Sequence, residues 1–164
     1  MQERNKMVMM DTCFFIRMLN AEDSLHKNAL EYYKYFLNHE YALRISTIAV
    51  GEFCTKDKIE SLPWRNMMPI PFNIKHAERS GTFMALVYEE KKKRGASFGN
   101  RLIIPNDTKM FAQAEFESVQ YYLTSDSESA KIYEILHSKG YVGFEFIDIH
   151  VPLSTRLGEL PFDE

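Results

Sequence analysis

Met7-Val8-Met9-Met10 is an unbroken apolar run that ends at Asp11 and continues as Thr12-Cys13-Phe14-Phe15-Ile16. Four residues without a polar interruption fit a strand covered on both faces, as in a parallel sheet, and not the alternation of a strand with one wet face. Asp11 then stands at the carboxyl end of that strand, where ligands of open α/β sheets gather. Working outward, Leu25, Ala29, Leu30, Tyr33 and Phe36 recur at helical spacing and predict an amphipathic helix over 24–38, after a turn at 20–23. Residues 41–46 suit a short strand, and Thr47 can cap a helix running to about residue 56. Pro63, Pro69 and Pro71 forbid a long helix after it. A long helix is expected over 74–94, with Ala77, Met84, Val87 and Tyr88 on one side and Gly95 as its stop, followed by a loop over 95–105. Helix 106–116, strand 119–124, helix 128–138 closed by Gly140, and strand 144–149 complete the series. This alternation predicts an α/β domain with a largely parallel sheet and right-handed crossovers.

The chain has 164 residues, 45% hydrophobic and 26% charged, which is the size and balance of one soluble domain spanning 1–164, with a polar and flexible head at 1–6. Cys13 and Cys54 have neither CxxC spacing nor the density of a disulfide scaffold, so a reducing, cytoplasmic setting is expected and both read as small buried apolar residues. The apolar run at 7–10 is too short for a signal-peptide core or a membrane span. A net charge of −3 excludes the strongly basic field of a nucleic-acid coat, so any nucleic-acid contact must be local.

Four acids fall where chemistry is expected. Asp126 follows the strand at 119–124 as Asp11 follows the first strand, so the two can meet across neighbouring strands. Glu52 lies three and four residues beyond Ala49 and Ile48, on the apolar face of its helix, a costly position for an unpaired charge. Asp107 heads the stripe of Met110, Phe111 and Ala114 and points into the domain. Inward-facing acids on separate elements call for a shared cation, and a hard divalent ion such as Mg²⁺ or Mn²⁺ takes oxygen ligands while leaving positions for phosphate and water. The implied chemistry is phosphodiester hydrolysis. Each acid also has a plainer reading. Asp107 can be an N-cap behind Pro105, Asp126 can cap the next helix within Ser125-Asp126-Ser127-Glu128, Asp11 can cap a helix from Thr12, and Glu52 can pair with Lys56.

Four stretches together resemble the PIN-domain family, in particular the toxin ribonucleases of bacterial toxin–antitoxin pairs. Met9-Met10-Asp11-Thr12 followed by apolar residues is similar to the family's opening strand, and Ile48-Ala49-Val50-Gly51-Glu52-Phe53 to its second acidic motif. Pro105-Asn106-Asp107 leading into Ala112-Gln113-Ala114 resembles the third, and Leu123-Thr124-Ser125-Asp126 the fourth. The resemblance implies a PIN-like, doubly wound three-layer sandwich and cleavage of RNA. It implies Asp11, Glu52, Asp107 and Asp126 as catalytic residues, with Asp11, Asp107 and Asp126 as ligands of Mg²⁺ or Mn²⁺ and with Thr12 and Thr124 supporting the carboxylates. RNA, an antitoxin protein and a second copy of the chain are the expected partners. Some relatives are degenerate and only bind, so a catalytically silent module for RNA or a protein partner is the alternative.

Lys91, Lys92, Lys93 and Arg94, with Arg101 beyond them, form a local basic run that can grip a phosphate backbone or simply complement a helix dipole. Tyr32, Tyr33 and Tyr35 read as core or partner-facing more than as base-stacking platforms. The five histidines show no metal-ligand spacing, and neither a Gly-rich phosphate loop nor a Ser-His-Asp arrangement stands out.

Overall fold

The structure, a computed structural model, describes residues 4–95 and 103–158. Strand β1 (Asn5–Met10) runs into α1 (Thr12–Leu19) and α2 (His26–Asn38), then β2 (Ala42–Ser46) and α3 (Thr47–Phe53). A short 3-10 turn at Ile59–Ser61 precedes β3 (Met67–Ile70), and α4 (Ile74–Arg94), α5 (Ile103–Phe116), β4 (Val119–Thr124), α6 (Ser127–Ser138), β5 (Glu145–Asp148) and α7 (Leu153–Leu157) follow. All strand pairs are parallel, in the order β3-β2-β1-β4-β5. The chain winds outward from β1 through β2 to β3, then returns to the other side of β1 for β4 and β5. The strand order therefore reverses between β1 and β4, and the register Met10↔Leu123 brings Asp11 level with the end of β4.

The doubly wound α/β reading of the sequence is borne out. Val8, Met9 and Met10 are fully buried, as a central parallel strand requires. Several boundaries differ for physical reasons. β1 reaches back to Asn5, into the polar head expected to be flexible, because Asn5 N bonds Ser118 O and Arg4 Nη1 bonds Val119 O. Ser46, one residue before Thr47, caps α3 by accepting from Ile48 N, and the helix ends at Phe53. α5 starts at Ile103, three residues before the expected position, since proline at 105 is tolerated in a first turn whose amides lack helical acceptors. The short strand β3 carries Pro69 on the sheet edge, where no partner needs its missing amide.

The inward face of α4 also departs from the expected stripe. His76, Ser80, Phe83 and Val87 are buried, whereas Tyr88 is exposed and Ala77 and Met84 are half-buried. Hydropathy could not anticipate two polar core residues. His76 Nδ1 accepts from Asn73 N, its Nε2 meets Glu117 Oε1 at 2.9 Å, and Ser80 bonds the Ala77 carbonyl. Tyr32 and Tyr33 are buried and Tyr35 packs against the core.

α5 is pinned to the sheet through fully buried Phe111, whose ring meets Tyr122 edge-on at 4.9 Å. Burying a side chain of that size stabilises by about 1.5–3 kcal/mol. That is enough to help hold nearby polar groups away from water. Among the described residues no helix is long and apolar enough to cross a membrane.

Candidate functional site

Asp11 leaves β1 as the N-cap of α1, 5% exposed, with Oδ1 accepting from Phe14 N at 3.1 Å and from the Cys13 thiol at 3.0 Å. Asp126 caps α6 in the same way, with Oδ1 accepting from Glu128 N at 2.9 Å, while its own amide donates to Thr124 Oγ1 at 3.0 Å. The capping readings of both residues are thus correct. They do not compete with a role in the cavity.

Glu52, in the last turn of α3, is held by two side chains, neither of them Lys56. Thr12 Oγ1 donates to Oε2 at 2.8 Å and Asn106 Nδ2 donates to Oε1 at 2.6 Å. Asp107 is not an N-cap, because α5 begins upstream of it. It is 6% exposed, and its Oδ2 is buried with no hydrogen-bond partner. All four acids line one cavity of about 260 Å³, together with Thr12, Cys13, Asn106 and an apolar wall of Ile16 and Met110.

The electrostatics follow from this crowding. Burial pushes the Asp107 carboxyl up to about 8, and the neighbouring charges of Asp126, Asp11 and Glu52 add to the rise, while the Ser129 hydroxyl pulls the other way. Burial likewise raises Asp11 to about 6, opposed by hydrogen bonds from Cys13, Thr124 and the Phe14 amide. The Cys13 thiol is raised to about 12 by burial and by the Asp11 charge, so it stands as a neutral donor. A larger, shallower groove of about 660 Å³ lies between α4, the end of α5 and Tyr141. Lys75 pairs there with Glu78, Glu115 with Arg4, and the Arg79 guanidinium lies over the Phe116 ring, so the smaller acidic cavity is the chemically distinctive one.

Among the described residues no three His, Cys, Asp or Glu side chains converge as a ready-made metal-binding group. The donor set still fits a hard divalent cation. It is all oxygen, it concentrates negative charge, and it includes a buried carboxylate oxygen that nothing else satisfies.

Thr12 supports a carboxylate directly. Thr124 contacts Cys13 Sγ at 3.2 Å and receives the Asp126 amide. Lys91, Lys92, Lys93 and Arg94 form the last turn of α4, Lys93 pairs with Glu89 at 3.5 Å, and none of the four lines the cavity. Arg101 lies outside the described residues.

Cys13 and Asn106 are the contributors that sequence reasoning missed. Cys13 is a hydrogen-bonded member of the site and Cys54 is exposed, which corrects the reading of both as buried apolar residues. Neither contributor carried a periodic signal. Asn106 reaches Glu52 across 54 positions of chain, and a thiol is read as apolar until its neighbours are known.

No family model matches the chain, and no curated protein matches its sequence. Solved structures do match its fold. A chain from the crystal structure of VapBC2 from Rickettsia felis bound to a DNA fragment from their promoter is 19% identical with a TM-score of 0.54, covering 87% of this chain and 99% of that one. Mycobacterium tuberculosis VapC20, described as a sarcin-ricin loop cleaving toxin, is 16% identical with a TM-score of 0.53, covering 76% and 93%. A chain of DNA-bound VapBC from Salmonella typhimurium is 16% identical with a TM-score of 0.53, covering 87% and 98%. At these identities the likeness is one of fold, and at that level the PIN-like architecture read from the sequence is borne out.

Proposed function

We propose that this chain is a divalent-metal-dependent endoribonuclease that hydrolyses phosphodiester bonds of RNA. One observation carries the reading: carboxylates from four separate elements line a single cavity, and one of them has a buried oxygen without a partner. Asp11, Asp107 and Asp126 would hold Mg²⁺ or Mn²⁺, which when bound would polarise the phosphate and lower the cost of activating water. Glu52 has its orientation fixed by Thr12 and Asn106, so it can accept a proton from, or align, a water in the cavity. Ile16 and Met110 limit bulk water on one side. The basic turn from Lys91 to Arg94, with Arg101, would neutralise the RNA backbone approaching the acidic cavity.

An antitoxin partner, a second copy of the chain and a cytoplasmic location belong to the same reading, supported by the fold it shares with chains from two VapBC assemblies. A second reading is a catalytically silent module that binds RNA or a protein. It is favoured by the fact that both oxygens of Glu52 are already engaged by protein donors.

The deciding experiment incubates purified protein with structured and single-stranded RNA in Mg²⁺, in Mn²⁺ and in chelator, alongside Asp11→Asn. The nuclease reading expects cleavage only with metal and none by the variant. Equal cleavage by Asp11→Asn, or cleavage in chelator, would sink it. RNA binding without cleavage by either protein would favour the silent module.

A further inference from the structure

Three contacts converge on the sulfur of Cys13, in the first turn of α1. Its thiol donates to Asp11 Oδ1 at 3.0 Å, Ser125 N donates to it at 3.2 Å, and Thr124 Oγ1 stands 3.2 Å away. One side chain thereby ties the carboxylate at the end of β1 to the turn that leaves β4, more than a hundred positions along the chain. The turn is braced from its other side. Arg17 Nε donates to Ser125 Oγ at 2.9 Å, and Arg17 Nη1 is anchored by Asp23 at 3.0 Å.

Asp11 Oδ1 receives the Phe14 amide as well as the thiol, so rotation of the carboxylate about its own axis would break two bonds at once. We infer that Cys13 is a positioning residue for Asp11, its thiol holding the carboxylate at the orientation it presents to the acidic cavity. The effect on catalysis rests on the nuclease reading. The hydrogen bond itself does not. A residue that only filled space here would need neither a donor toward Asp11 nor an acceptor toward Ser125, and Cys13 is both. Partners that orient a metal-ligating side chain commonly affect metal affinity or activity 10- to 100-fold when removed.

Cys13→Ala removes the donor and keeps a small side chain, whereas Cys13→Ser restores a donor and an acceptor. In the full chain, Cys13→Ala should weaken Mn²⁺ binding, read by electron paramagnetic resonance, and slow RNA cleavage, each by about 10-fold or more. Cys13→Ser should recover most of both. Wild-type values for Cys13→Ala, or equal losses in the Ala and Ser variants, would overturn the inference. A double-mutant cycle of Cys13→Ala with Asp11→Ala on the urea midpoint of metal-free protein reads the pair without any cofactor. The combined loss should be smaller than the sum of the single losses, and strict additivity would overturn the inference. Wild-type protein that neither binds Mn²⁺ nor cleaves RNA would refute the nuclease reading instead, leaving the cycle to decide the role of Cys13.

Discussion

One helix carries two acids in opposite circumstances. Near the start of α5, Asp107 is buried with an orphan oxygen among three other carboxylates. Near its end, Glu115 accepts Arg4 Nη2 on both oxygens, at 2.9 and 3.0 Å, and the Gly143 amide at 2.9 Å. The second acid stitches the amino ends of β1 and β4 to the loop before β5, since the same Arg4 also bonds the Val119 carbonyl. Asp107 is buried and the Glu115 side chain largely so, and burial alone does not separate them. The supply of protein cations does. Among the described residues an arginine is matched to Glu115 and none to Asp107, so the first acid is satisfied within the fold and the second is the one that our nuclease reading gives to a cation.

The sharpest test exchanges each acid for its amide. Asp107→Asn should abolish metal-dependent RNA cleavage, by at least about 100-fold, because the group with the unsatisfied oxygen is lost. The same change should stabilise the metal-free protein at about pH 8 by on the order of 2 kcal/mol, since a neutral amide avoids most of the crowding that raises Asp107 to about 8. Glu115→Gln should do the reverse, sparing cleavage and lowering stability. Urea unfolding in chelator and a cleavage assay check both arms. A cleavage defect in Glu115→Gln equal to that in Asp107→Asn would erase the distinction between the two ends.

Acidity gives the next largest effect. Asp11 and Asp107 have carboxyls raised above the ordinary carboxylate value of 3.8, to about 6 and about 8, so the folded protein holds protons that the unfolded chain releases. The sign follows from linkage. The stability tied to those protons is complete below about pH 4 and is lost as pH rises through about 6 for Asp11 and about 8 for Asp107. Metal-free protein should therefore become steadily less stable across this range, apart from contributions of other groups, and Asp107→Asn should flatten the upper part of the slope. Cation binding must displace the same protons, so Mn²⁺ affinity should climb with pH over the same window. A titration of urea midpoint against pH for wild type and variant reads this directly. A wild-type midpoint that rises between about pH 6 and 8, with Asp107→Asn parallel to it, would remove the electrostatic contrast.

The sequence carried the fold further than it carried the site. An apolar strand flanked by alternating helices and strands is a local pattern, and the central strands and long α4 were readable from it. The elements missing from the predicted series, α1, β3 and α7, are short, α1 having entered only as a capping alternative for Asp11, and β3 contains a proline that argues against a strand unless the edge position is known. Asp11, Glu52 and Asp107 were legible because each stands in or against an apolar context that makes an unpaired charge costly, and Asp126 because it follows a strand as Asp11 does. Asn106, Cys13 and the bracing pair Arg17–Ser125 were not, because their roles depend on contacts between distant segments and their residue types are unremarkable where they stand. The same limit hid the buried His76, whose partner Glu117 is 41 positions away.

At the stitched end, removing the cation is more informative than removing the acid. Arg4→Met keeps the aliphatic stem but leaves Glu115 with the Gly143 amide alone. The pair is largely buried, at 23% and 19% side-chain exposure, so the loss should be about 1–3 kcal/mol, larger than for an exposed ion pair. Wild-type stability in Arg4→Met would mean that the amino end is held by packing, and that the contrast with Asp107 is not one of charge.

The smallest effect concerns charge lying outside both ends. Lys91 and Lys92 stand in the last turn of α4 and do not line the acidic cavity. If they only complement the helix dipole, Lys91→Gln and Lys92→Gln together should lower stability by a few tenths of a kcal/mol and leave cleavage untouched. If they meet the RNA backbone, the same double change should raise KM for RNA by about 3- to 10-fold with kcat preserved, and should make log KM less dependent on log salt by roughly one to two phosphate contacts. The salt slope separates the two roles where the size of the KM change does not. A loss of general packing would move KM at every ionic strength alike, whereas a lost phosphate contact matters less as salt rises. An unchanged slope would confine the RNA-binding charge to other residues.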